Sequence, residues 1–347
     1  MKFYETHYDE YLNAVEKHNF HPNNLQIYSK IPLDIKNVSN LIFYGPSGVG
    51  KYSQVLYFLK RYSPSQLKYE KKIEFETEKQ KYNYKISDIH YEIDMSLLGC
   101  NSKILWHEIF SHIIDIISNN MSTEKIGFVV CKNFHAIHNE LLEIFYSYIQ
   151  QYKSTITSQI LIRFIIITEH ISFLPNNIIQ SCQIISIPRP SKEQYLQILS
   201  CHTVENSIDN SDSNKIMHSI KNEQIINIKE IKSFHLLKDE SELPMDAFIF
   251  ICNQLIQEIM NPDKIVYADF RDKLYDILVY NLDAVECLWY ILSHIICNST
   301  DKCQLNDKDI SEILDKIHIF LKYYNNNYRP IYHLESIFFS IISKIHE

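Results

Sequence analysis

The stretch LIFYGPSGVGKYS, Leu41 to Ser53, sets the fold class of this chain. "NLIFY", residues 40–44, is a short apolar run with the composition of a buried strand. Gly45, Pro46, Ser47, Gly48, Val49, Gly50 and Lys51 follow with the spacing of a phosphate-binding loop. In such a loop, backbone N–H groups and a helix N-terminus cradle phosphates, and the lysine reaches the β and γ phosphates. "KYSQVLYFLKRY" comes next, with Val55, Leu56, Phe58 and Leu59 spaced for a helix. Strand, loop and helix in that order are the context the motif requires. Tyr52 departs from it, because the position after the lysine normally holds a Ser or Thr for magnesium. Its phenol lies too far from the backbone to replace that hydroxyl, and Ser53 is one position off.

Glycine usage supports the loop. The 347-residue chain contains 5 glycines, whereas average usage of roughly 7% gives about 24. Three of them, Gly45, Gly48 and Gly50, fall within the loop, where backbone must approach a ligand closely or adopt positive φ. Hydrophobic residues make up 46% and charged residues 22%, enough apolar material for more than one core. The net charge of −8 argues against a stand-alone, broadly basic nucleic-acid binder. The 8 cysteines form no CxxC pair and read as reduced intracellular thiols. "MKFYETHYDEYLNAVEKHNF" has acids and no apolar centre, unlike a signal peptide. Runs such as "ILIRFIIIT" are shorter than a membrane span of about 20 residues. The expectation is a soluble intracellular protein.

Outward from the loop, strands and helices alternate through residue 190. "KKIEFETEKQKYNYKISDIHYEID" reads as a β-rich excursion with a polar middle. "SKILWHEIFSHIIDIISNN" reads as a helix with Leu105, Ile109, Ile113 and Ile116 on its apolar face. "KIGFVVCKN", "ILIRFIIITE" and "CQIISIPRP" read as further strands, with the helix "NELLEIFYSYIQQY" between the first two. This alternation predicts an α/β fold with a parallel sheet and ligand binding at the strands' carboxyl ends. After Pro190 the pattern turns helical, opening on an N-cap at Ser191 with Glu193 in the first turn. "KDESELP", residues 238–244, reads as a hinge, and about five apolar-periodic helices follow in 245–347. The expected domains are therefore 1–190, 191–240 and 245–347.

A magnesium-dependent NTPase also needs an acidic residue at the end of a later strand. The corresponding strand, "GFVVCKNFH", ends in Cys131 and Lys132, and a lysine repels a metal rather than holding it. His135, His138 and Glu140 read as polar helix-start residues, so no metal site is expected. The sequence keeps a phosphate cradle and lacks the hydrolytic chemistry, so no catalytic residue is assigned.

Taken together, these residues resemble the small subunits of the eukaryotic clamp loader, replication factor C, within the AAA+ ATPases. The similarity is greatest to the subunit at the end of the pentamer, whose loop also lacks Ser or Thr after the lysine. "YGPSGVGK" is similar to that loop throughout. "SDIHYEIDMSLLGCNSKILWHEI" resembles the family's segment leading into a helix, and "SCQIISIPRPS" resembles its Ser-Arg-Cys motif and following strand. "FRDKLYDIL" and "IYHLESIFFSIISKI" resemble the collar through which five subunits form a ring. The resemblance covers most of residues 38–345. It implies a P-loop AAA+ domain, a small helical lid and an all-α collar.

The departures from the family are specific. Its N-terminal adenine-holding stretch is not recognisable before residue 40. The arginine of Ser-Arg-Cys aligns with Ser181, before Cys182, and an arginine finger is worth about 10³–10⁵ in rate. The acidic Walker B residues align with Cys131 and Lys132, the sensor-1 asparagine near Glu169, and the sensor-2 arginine near Lys229. Each loss removes catalysis in cis or in trans.

The resemblance thus implies a non-catalytic or weakly catalytic subunit of a pentameric clamp loader. Gly45–Tyr52 and Lys229 would bind ATP or ADP without well-ordered magnesium. The partners would be other AAA+ loader subunits, a PCNA-like sliding clamp and primer-template DNA, in the nucleus or another replication compartment. Clamp contact is implied for Leu105, Trp106, Ile109 and Phe110, against which stands their reading as core at helical spacing. Lys132, Lys60 and Arg61 are candidates for tracking DNA, although each also reads as a solvated surface charge. Two alternatives stay open: an independent P-loop ATPase with Asp94 or Glu169 as magnesium ligand, and a helical scaffold with a fossil nucleotide domain.

Overall fold

Strand residues of this chain alternate between two apolar faces, so the sheet they build must be covered on both sides. In the computed structural model, Leu41 and Phe43 of β1 (Asn40–Tyr44) join one buried cluster, and Ile42 joins the other. The structure describes residues 7–76, 81–99, 101–119, 125–153, 160–191, 194, 247–262, 265–280, 282–297, 305–324 and 329–346. These fall into two units, within Met1–Cys201 and His202–Glu347.

The first unit is α/β. Its seven-stranded sheet has the order β2-β3-β4-β5-β6-β1-β7. The strands are β2 (Lys71–Glu76), β3 (Lys81–Ile86), β4 (His90–Asp94), β5 (Ile126–Lys132), β6 (Leu161–Thr168) and β7 (Cys182–Ser186), with β1 between β6 and β7. The five strands from β4 to β7 run parallel, and β2 and β3 extend one edge antiparallel. All eight residues of β6 are buried, the mark of a central parallel strand. The sequence reading of four strands around the loop, with a β-rich excursion before the long helix, agrees with this sheet.

One face carries α1 (Tyr8–Lys17), α2 (Pro22–Lys30) and α3 (Lys51–Lys60). The other carries α4 (Ser102–Asn119) and α5 (Asn139–Gln151), while α6 (Asn176–Ser181) leads directly into β7. β1 lies between β6 and β7, and the connection from β6 to β7 passes over it, so the loop after β1 sits at the carboxyl edge of the parallel strands, where ligands bind in sheets of this kind.

The second unit is helical in its described residues. It contains α7 (Ala247–Ile259), α8 (Tyr267–Val279), α9 (Ala284–Cys297), α10 (Asp307–Tyr324) and α11 (Pro330–His346). Their apolar stripes meet in one core that includes Leu255, Phe270, Leu274, Ile291, Leu334 and Phe338. The buried Glu335 of α11 is held by Arg271 Nε at 2.8 Å and by the Tyr267 hydroxyl at 3.1 Å, both from α8. The expected lid at 191–240 and hinge at 238–244 lie outside the described residues, apart from Ser191 and Gln194. Ser191 behaves as the expected cap: its hydroxyl accepts from Gln194 N at 3.4 Å, and Gln194 Oε1 accepts from Ser191 N at 2.8 Å. Among the described residues, no helix is long and apolar enough to cross a membrane.

Candidate functional site

Three features of the Gly45–Lys51 segment follow from its backbone. A Cβ on Gly45 would stand 2.0 Å from the carbonyl oxygen of Ile187, so only glycine lets the loop pass the end of β7. Gly50 caps α3 in the left-handed region at φ 88°. Helical bonding then starts at once, with Gln54 N donating to Gly50 O at 3.0 Å. α3 therefore starts directly after the loop that follows β1, and a helix start is where N–H groups without intrahelical partners can face an anion.

Lys51 is buried, and its ammonium donates to Gly45 O at 2.7 Å and Pro46 O at 2.6 Å. In this conformation the lysine holds the loop by its own carbonyls. The loop is also fastened from behind. His21 Nε2 lies 2.8 Å from Val49 O, and since a carbonyl only accepts, that nitrogen carries the proton. Burial lowers the His21 pKa, and the bond to Val49 opposes that only in part. Asn19 Oδ1 accepts from Gln54 Nε2 at 3.1 Å, and the Tyr28 hydroxyl donates to Gln54 Oε1 at 3.2 Å. Residues 19–28, which the sequence reading left without a role, thus buttress the loop and the first turn of α3.

The residues around Tyr52, where the sequence reading looks for a metal ligand, are paired with one another. The Tyr52 hydroxyl donates to both Glu92 oxygens, at 2.7 and 2.9 Å. His90 Nε2 lies 3.1 Å from Glu92 Oε1, and Lys132 Nζ lies 3.8 Å from Oε2. The Lys132 ammonium also stands 4.1 Å from the centre of the Tyr52 ring, within cation–π range. Tyr11 of α1 packs edge-on against the same ring at 4.8 Å.

Burial alone would raise the Glu92 pKa, but His90, Lys132 and the Tyr52 hydroxyl outweigh it and hold the carboxyl below its ordinary value. Burial first, and then the Glu92 charge, push the Tyr52 phenol far above its ordinary value. Glu92 is therefore an ionised, nearly inaccessible carboxylate whose oxygens already have partners.

Magnesium does not fit these residues. Cys131 points to the opposite face of the sheet, fully buried in the core with α4 and α5, and burial raises its thiol pKa. Lys132 puts a cation where the sequence reading looks for a ligand. Of the two alternative ligands, Asp94 caps the turn Met95–Leu97, accepting from Ser96 N at 3.0 Å, and also accepts from Asn133 Nδ2 at 3.0 Å. Glu169, at the end of β6, lies 3.7 Å from His135 Nε2. His138 precedes α5 and Glu140 lies in its first turn, the helix-start roles expected of them. Ser181 donates to Ile178 O at 2.8 Å within its own helix.

Several expected positions need correction. Leu105, Trp106, Ile109 and Phe110 form no exposed patch; all four lie in the hydrophobic core between α4, α5 and the sheet. Trp106 packs against Phe110 at 5.6 Å and Phe145 at 5.3 Å. The i, i+4 spacing that aligned them also turned them toward the sheet. The apolar side chains this region does present are Leu97 and Ile104, 58% and 64% exposed.

Arg61 is not a surface charge either. Its guanidinium donates to Tyr28 O and, at 2.8 Å, to Ile31 O, and it lies over the Phe58 and Tyr62 rings. Lys60 pairs with Glu16, and Lys132 with Glu92. Lys229 lies outside the described residues.

Sequence reasoning missed Glu92 and His21. Glu92 had a readable signal: in "HYEID", His90, Glu92 and Asp94 alternate with the apolar Tyr91 and Ile93 on one strand face. His21 had none, since only folding brings it to a loop 28 residues away.

No family model matches this chain, and no curated protein matches it. Among solved structures, a chain in "Structure of E. coli MS115-1 HORMA:CdnC:Trip13 complex" is similar, at 12% identity and a TM-score of 0.43. The match covers 67% of this chain and 84% of that one. A likeness of that size carries no functional argument.

Proposed function

We propose that this chain is a non-catalytic or weakly catalytic AAA+ subunit of a pentameric DNA sliding-clamp loader, supporting ATP-dependent clamp loading at primer-template junctions. The observation that carries its non-catalytic part is that Lys51 closes on the carbonyl of Gly45 beside Tyr52, Glu92 and Lys132, which are paired with one another. Such a site suits binding better than turnover. Nucleotide would be held by the backbone of Gly45–Tyr52 and by Lys51, which would exchange the Gly45 and Pro46 carbonyls for phosphate oxygens. The parallel order β4-β5-β6-β1-β7, with the loop at the carboxyl edge of the strands, supports a P-loop nucleotide domain. The helical second unit supports a collar, because α8 and α11 carry the two segments that resemble it.

Native mass spectrometry of the tagged protein, purified from its own cells with small molecules retained, tests the assembly. The expected result is a pentamer with other AAA+ subunits, with a mass increment on this chain if nucleotide is held. A monomer or homodimer that hydrolyses ATP, with turnover abolished by Lys51→Ala, would refute the proposal.

A further inference from the structure

We infer that Lys132 takes the part of the metal ion at this loop, so that the site binds a nucleoside di- or triphosphate in its metal-free form. The inference rests on reading Gly45–Lys51 as a nucleotide loop and goes beyond it by naming Lys132 as the group that takes the ion's place. Lys132 ends β5 in register with Asp94, at the same carboxyl edge of the sheet as the loop. Its ammonium lies against the ring of Tyr52, the residue directly after Lys51. The Lys132 side chain is 31% exposed, whereas the Glu92 carboxylate beside it is 3% exposed.

Three observations oppose a divalent ion at that place. The loop hydroxyl is a phenol already donating to Glu92. The nearby carboxylates, Glu92 within β4, Asp94 at its end and Glu169 after β6, each hold a partner from this chain. An ammonium stands where the ion would have to approach. Phosphate would instead meet two lysines, Lys51 and Lys132, and a bound magnesium would cancel ligand charge that they are placed to meet. Glu92 does not compete for Lys132 outright, since Tyr52 and His90 keep it paired when the ammonium turns toward phosphate.

The test is calorimetric titration of the full chain with ADP and with ATP, once in magnesium and once in EDTA. The expected result is affinity in EDTA equal to or above that in magnesium. Lys132→Met should weaken EDTA binding about tenfold, the loss of one charge-assisted contact. Lys132→Arg, which keeps the charge, should bind like the parent. Magnesium raising parental affinity more than about threefold would overturn the inference, as would an unchanged EDTA affinity in folded Lys132→Met. If Lys132→Met fails to fold, the parental comparison alone decides. Binding that requires magnesium would sink only this inference. No binding in either buffer would sink the nucleotide reading with it.

Discussion

Replacing Tyr52 with Phe removes one oxygen and leaves the packing in place. The ring keeps Tyr11 against its edge and Lys132 over its face. What is lost is the donor to both oxygens of a carboxylate that is 3% exposed. A hydrogen bond to a charged group is worth about 1.5–3 kcal/mol, and little water can reach Glu92 to substitute for it. His90 and Lys132 remain, so the cost is one bond rather than a stranded charge, and the expected loss is about 2 kcal/mol. For a unit of this size that is a drop in Tm of about 4–8 °C.

Trp106 is a built-in reporter, buried in the same unit; the chain's other tryptophan, Trp289, lies in the helical unit and is removed by Trp289→Phe. Urea and thermal melts followed by Trp106 fluorescence then give the comparison. The pH dependence carries a second signature. Glu92 is held below its ordinary pKa, so its contribution is present above the unfolded-state value, about 4.3, and is lost as pH falls through the folded one. Tyr52→Phe removes one of the groups lowering that pKa, so acid unfolding should begin at higher pH. A loss below about 0.5 kcal/mol, with acid unfolding unmoved, would mean the Tyr52–Glu92 contact contributes nothing and the reading of the site is mistaken.

Further outcomes follow from the same geometry. Gly45→Ala should cost about 3 kcal/mol, the upper end of overpacking, because its Cβ meets the Ile187 carbonyl; a wild-type melt would contradict the close approach. Trp106→Ala should cost about 3–5 kcal/mol by emptying the α4–α5 core. The exposed pair Leu97→Ser, Ile104→Ser should leave stability within about 0.5 kcal/mol, and a larger loss in urea melts would contradict their exposure. His21 is held below its ordinary pKa, so its contribution is full above about 6.5 and is lost as pH falls. His21→Gln should flatten the stability profile on the acid side of that value, measured by urea midpoints across pH.

The loop, its flanking strand and helix and the parallel sheet were legible because each rests on local spacing. Three glycines and a lysine mark a turn, and apolar runs between helical periods mark buried strands. The α4 residues show the limit of such reading. An apolar stripe at i, i+4 states that Leu105, Trp106, Ile109 and Phe110 share a face, and not which surface that face meets. Arg61 shows the same limit for charge, since only the fold reveals that the carbonyls of Tyr28 and Ile31 receive it.

The sequence by itself determined a strand, loop and helix with the spacing of a phosphate loop, and it placed Tyr52, Cys131 and Lys132 where that reading looks for metal ligands. Those are statements about residue type at fixed offsets along one strand or one turn, and sequence holds them completely. Only the tertiary structure decided what the substitutes do. Tyr52, Glu92 and Lys132 come from α3, β4 and β5, and meet because parallel strands align their carboxyl ends beside the helix that follows the loop. Their separations in the chain, 40 residues between Tyr52 and Glu92 alone, put that meeting beyond any local pattern. It arises from packing the sheet against α1 and α3, the same burial that leaves Glu92 to be neutralised by the protein's own hydroxyl and ammonium groups.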